Sequence, residues 1–108
     1  MRIESKQIIF PLGAIFPVLP DVNVTTTKSS TTPTVSNINF MKCANTTPIS
    51  ISNFLGGAQG QMLRLLGDGN TTIVNGTTIK TNTAANKLLS STKVYTFTYW
   101  SGVWYENE

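Results

Sequence analysis

From residue 37 onward, apolar and polar positions alternate over short runs that end in glycine, asparagine or serine. In "PISISNF" (48–54), Ile49 and Ile51 oppose Ser50 and Ser52, the period of two that marks a half-buried strand. "INFMKCA" (38–44) alternates more loosely. In "QMLRLL" (61–66), Leu63 and Leu65 point inward and Arg64 outward. "KVYTFTYW" (93–100) is the longest strand, with Tyr95, Phe97 and Tyr99 on one face and Val94, Thr96, Thr98 and Trp100 on the other. Ser101-Gly102 then reverses the chain into "VWYE" (103–106), an aromatic closing hairpin. Between these runs, "GDGN" (67–70) is a glycine turn and "TTIV" (71–74) a very short strand. Asn75-Gly76 has the composition of a type I′ turn, which predicts that "TTIKT" (77–81) folds back on "TTIV". Strands this short, broken by turns about every ten residues, predict an all-β protein. Its short antiparallel strands would form a small sandwich or barrel.

The first 36 residues follow a different pattern. Residues 1–24 are apolar but carry Pro11, Pro17 and Pro20. Each proline fixes φ and removes a backbone donor, so "PLGAIFPVLP" (11–20) cannot hold a helix, while "QIIF" (7–10) suits a short strand. The segment reads as an extended docking arm. Ile8, Ile9, Phe10, Ile15, Phe16, Val18 and Leu19 are its contact residues, either on this domain's own core or on a neighbouring chain. Residues 25–36 are rich in Thr and Ser and read as a linker or an edge strand. Residues 37–108 form the β body.

Composition narrows the function classes. Only 12% of the 108 residues are charged, and Ser, Thr and Asn fill about a third of the chain. The formal charge of +3 arises from few acids, and the eight Lys and Arg are scattered without a stripe. We therefore expect no nucleic-acid partner. The apolar start is too short and too broken by proline to span a bilayer, so no membrane insertion is expected. With one cysteine and no histidine, an intrachain disulfide, His-based acid–base chemistry and Cys–His nucleophiles are excluded. Cys43 reads as a buried thiol. The five acids, Glu4, Asp21, Asp68, Glu106 and Glu108, show no pairing suited to glycoside cleavage. No catalytic residue, no metal ligand and no cofactor is assigned.

Taken in order, the body has a more specific signature. An Asn-Phe (Asn53, Phe54) precedes paired glycines (Gly56, Gly57), and Gly60-Gln61 with Leu63 follows. Asn70, Thr71, Thr72 and Ile73 come next, then Ile79, Leu88 and a terminal Gly102-Val103-Trp104-Tyr105. Over about residues 49–106 this resembles the C-terminal β module of bacteriophage head fibres, tail fibres and tailspikes. The resemblance implies a homotrimeric, non-enzymatic structural protein on the virion surface. With the apolar arm, it suggests a capsid decoration (cement) or head-fibre subunit that docks on the major capsid protein or another virion protein. The alternative is a receptor- or glycan-binding tip, or a trimerisation module, of a tail fibre or tailspike. In that case Tyr99, Trp100 and Trp104 are the expected contacts to a host surface glycan. Packing within the closing hairpin or across a subunit interface competes for the same rings.

Overall fold

The computed structural model describes residues 24–107. The arm residues Ile8, Ile9, Phe10, Ile15, Phe16, Val18 and Leu19 lie outside them. Nine strands and no helix occur among the described residues: β1 (Val24–Thr27), β2 (Phe40–Cys43), β3 (Ile49–Ile51), β4 (Met62–Leu66), β5 (Thr71–Ile73), β6 (Ile79–Lys80), β7 (Lys87–Leu88), β8 (Val94–Trp100) and β9 (Val103–Glu106). They form a six-stranded sheet in the order β1-β2-β4-β8-β9-β6 and a three-stranded sheet in the order β3-β5-β7. The all-β sandwich expected from the alternation is the fold observed.

Alternation along the strands fills the space between the sheets. Met41, Cys43, Leu63, Leu65, Phe97, Trp104 and Ile79 project inward from the large sheet and are buried. Ile51 and Ile73 meet them from the small sheet, while Val35, Phe54 and Leu89 close the gaps from connecting segments. Burying a large aliphatic or aromatic side chain contributes about 1.5–3 kcal/mol each. The Thr/Ser-rich segment belongs to this packed body. Val24–Thr27 is the edge strand, Val35 is in the core, and Thr34 bridges to Leu55.

The sandwich is mixed rather than wholly antiparallel as expected. β1, β2 and β4 run parallel to one another, as do β3 with β5 and β6 with β9. The Asn75-Gly76 hairpin does not form. β5 pairs with β3 and β7 in the small sheet, whereas β6 pairs with β9 in the large one. Ile73 and Ile79 are both fully buried, one on each sheet. Two residues cannot bury apolar groups from opposite walls of a core and also pair with each other. The loop therefore crosses between sheets, and Asn75 acts through its side chain. Its Oδ1 accepts from Thr81 N at 2.9 Å, and its own N–H donates to Asn86 Oδ1 at 3.0 Å.

The closing hairpin expected at Ser101-Gly102 does form, with a two-residue turn. Both residues have positive φ, 49° and 85°, as a type I′ turn requires. Trp100 and Val103 pair directly across it.

Candidate interaction surface

The three rings assigned to glycan contact separate in the fold. Trp104 is fully buried and is not available to a ligand. It lies on the inward face of β9, edge-on to Phe54 at 5.5 Å and tilted against Tyr99 at 4.9 Å. Its indole Nε1 donates to the carbonyl of Phe54 at 3.1 Å, so the one polar atom of the ring is satisfied inside the core. Tyr99 is half-buried against it. Trp100, one residue on, points the opposite way and is 57% exposed. A one-residue step along a strand reverses the face, which is why adjacent positions differ so sharply.

The ordered motif explains itself as architecture. Gly57 lies where the backbone passes the rings, and a Cβ there would come 2.7 Å from Trp104 Cζ2 and 3.0 Å from Tyr99 Cδ1. Gln61 is a clamp: its Nε2 donates to the carbonyls of Val35 and Ile38 at 2.8 Å each, and its Oε1 accepts from Ala58 N at 2.9 Å. Phe54 meets Phe97 and Trp104 edge-on. These residues fix loops onto the core and present no reactive group.

The two described carboxylates are also held in structural roles. Asp68 Oδ1 accepts from the N–H groups of Asn70 and Thr71, at 2.8 and 2.7 Å. Its Oδ2 accepts from Asn45 N at 2.7 Å and from the Thr71 hydroxyl at 2.8 Å. Desolvation raises the Asp68 pKa, but these hydrogen bonds together outweigh it and hold the carboxyl below its ordinary value. Asn45 Nδ2 donates to Thr71 Oγ1, and Asn70 Nδ2 donates to the Asn45 carbonyl, each at 2.8 Å. This polar knot ties the β2–β3 loop to the β4–β5 loop and the start of β5. Beside it Cys43 is buried, and desolvation pushes its thiol up to about 11. A hydrogen bond with Thr71 opposes that shift, and the Asp68 charge adds to it.

Glu106 is nearly inaccessible, with 4% side-chain exposure, and pairs with Lys87 at 2.9 Å. Its other oxygen accepts from Asn82 N at 3.0 Å, and Lys87 also donates to Asn82 Oδ1 at 2.6 Å. The pair joins β9 of the large sheet to β7 of the small one. It lines an open cleft of about 480 Å³ with Tyr95, Thr96, Met62 and Asn107.

The outer face of the six-stranded sheet stands apart. Cross-strand register aligns Val24, Phe40, Arg64 and Thr96 in one row and Thr26, Lys42, Leu66 and Val94 in the next. Met62, Thr98, Tyr105 and Lys80 form another, and Trp100 and Val103 the last. Among the described residues seven large hydrophobics are exposed, and five of them (Val24, Met62, Val94, Trp100 and Tyr105) lie on this face. The Arg64 guanidinium sits over the Phe40 ring at 5.3 Å. Scattered exposed apolar residues are ordinary, but a concentration on one sheet face marks a contact surface. Sequence reasoning credited Trp100 and passed over the rest. The signal was present in "FMKC" and "MLRLL", whose apolar residues occupy both faces of the strand, as strands covered on both sides do.

Residues 21–105 match the family described as the phage depolymerase C-terminal beta sandwich domain. No curated protein and no solved structure matches the chain. The match covers most of the chain, takes in β1 and the Thr/Ser-rich segment, and agrees with the two-sheet architecture. The chain therefore belongs to the phage depolymerase C-terminal β-sandwich family, the non-catalytic C-terminal module of tail-fibre and tailspike type and a virion component.

Proposed function

We propose that the chain is a non-enzymatic structural module of a phage tail fibre or tailspike, which assembles as a homotrimer at the virion surface and contacts another virion protein there. The observation that carries this reading is the apolar outer face of the large sheet. A small domain hides a limited share of its surface by folding alone, and closed symmetric assembly is the usual way to cover what remains. The number three comes from the family resemblance. Confinement of Asp68 and Glu106 to a polar knot and an ion pair supports a role without catalysis.

The capsid-decoration or head-fibre reading, with docking on the major capsid protein, shares the assembly claim. Its specific contacts are arm residues outside the described ones, and the family match favours the tail-fibre or tailspike side. Contact with a host surface glycan rests on exposed Trp100, since Trp104 is buried and Tyr99 is half-buried against the core.

The test is native mass measurement on the full chain, together with a reducing-end assay on host surface polysaccharide. The reading expects three times the chain mass and no release of reducing ends. A monomer that cleaves the polysaccharide would overturn it.

A further inference from the structure

The geometry points to the chain's own residues 8–19 as the cover of the outer face of the six-stranded sheet, in the same copy or a neighbouring one. This deepens the assembly reading and rests on it only where the arm comes from a neighbour. Four observations converge.

The first is position. The chain reaches the described body at Val24, which is itself an outer-face residue on the edge strand. The residues before it are therefore delivered to the border of this face. The second is reach. Twelve extended residues span about 40 Å, and the four that connect them to Val24 add about 13 Å. Six strands are only about 24 Å across at ordinary spacing.

The third is chemistry. Ile8, Ile9, Phe10, Ile15, Phe16, Val18 and Leu19 offer an apolar surface, and the face offers Val24, Phe40, Met62, Leu66, Val94 and Tyr105. Pro11, Pro17 and Pro20 lack backbone donors, so the segment is poorly suited to extend the β1 edge by strand pairing and well suited to lie across side chains. The fourth is charge. The face carries Lys42, Arg64 and Lys80 and no carboxylate, whereas residues 8–19 carry no charge and set no cation against it. A second copy packed face to face would set cations against cations.

Cys43 is buried, and its thiol is held in the protonated form at neutral pH. A cysteine introduced at Thr98, in the middle of the face, can therefore be labelled selectively. In the full chain carrying Thr98→Cys, a benzophenone maleimide is attached and photolysed, and its cross-links are mapped by mass spectrometry. Cross-links concentrated on residues 8–19 are expected. Mixing isotopically labelled and unlabelled protein separates same-chain from neighbour-chain links, and either supports the inference.

Adding Phe16→Asp and Ile15→Asp to Thr98→Cys should raise the labelling rate of the introduced thiol about tenfold, the change expected when a locally closed state of modest stability is lost. An unchanged far-ultraviolet circular dichroism spectrum and denaturation midpoint report that the body remains folded. Cross-links to strand residues of another copy, or rapid labelling that the arm substitutions leave unchanged, would overturn the inference. A trimeric mass with an uncovered face would sink the arm and spare the assembly reading. A monomer with same-chain cross-links would do the reverse.

Discussion

The two faces of the six-stranded sheet come from the same strands and nearly the same residue types, yet they meet different surroundings. Inward, Met41, Leu63, Leu65, Phe97 and Trp104 are sealed by the small sheet and by the loops carrying Val35 and Phe54. Outward, Met62, Val94, Trp100 and Tyr105 are exposed and Phe40 and Leu66 only half-buried, with no second sheet packed over them among the described residues. The inner face accounts for the fold. The outer face leaves five large hydrophobics exposed, and that concentration is what the proposed assembly is argued from.

The contrast is sharpest at the closing hairpin. Trp104→Ala should cost about 3–5 kcal/mol, because it removes a filled core volume and leaves the Phe54 carbonyl without its donor. Chemical denaturation would show this as a lower midpoint. Breaking the ion pair should come next. Lys87→Met leaves Glu106 buried beside no cation, at a cost of about 2–4 kcal/mol by the same measurement. Gly57→Ala forces a methyl group into the Trp104 ring and should cost about 1–3 kcal/mol, seen as a lowered melting temperature. Trp100→Ala is expected to change the stability of the isolated fold by about 0.5 kcal/mol or less, while weakening assembly. If Trp100→Ala unfolded the domain as Trp104→Ala does, the distinction between the faces would fail.

Two pH effects test the inner face further. The Asp68 carboxyl is held low in the folded protein, so its contribution is fully present above the unfolded value of about 3.9 and is lost as pH falls through the lower folded value. Asp68→Asn should flatten the acid limb of a stability–pH profile. Cys43 has the opposite sign. Its raised value favours folding at neutral pH, and that contribution declines between the ordinary 9.0 and about 11. Cys43→Ala should remove the alkaline limb, at the separate expense of a small cavity.

Much of the fold was legible in the sequence because strand alternation is a local signal. Ile49/Ile51, Leu63/Leu65 and the long strand ending at Trp100 lie where the pattern put them. Pairing partners were not legible, since they depend on contacts far apart in sequence. Asn75-Gly76 carried the stronger turn signature, yet Ser101-Gly102 makes the type I′ turn, with Ser101 at φ 49°. The longer flanking strands β8 and β9 determine the turn there, whereas Ile73 and Ile79 are drawn to opposite sheets. Trp104 was misassigned for a related reason. Nothing local tells a ring that stacks on a ligand from one that fills a core. The Asn45–Asp68–Thr71 knot was not legible, because it joins residues 23 and 26 positions apart. The outer face was readable from apolar residues on both sides of "MLRLL", a pattern that calls for cover on both.

The central claim is that the outer sheet face is occupied in the protein as it assembles. Hydroxyl-radical footprinting of the full chain tests it directly, because Met41 and Met62 lie on adjacent strands and opposite faces of the same sheet. The account expects Met62, with Trp100 and Tyr105, to be protected nearly as well as the fully buried Met41. Oxidation of Met62 at the rate of a solvent-exposed methionine, with Met41 still protected, would contradict it.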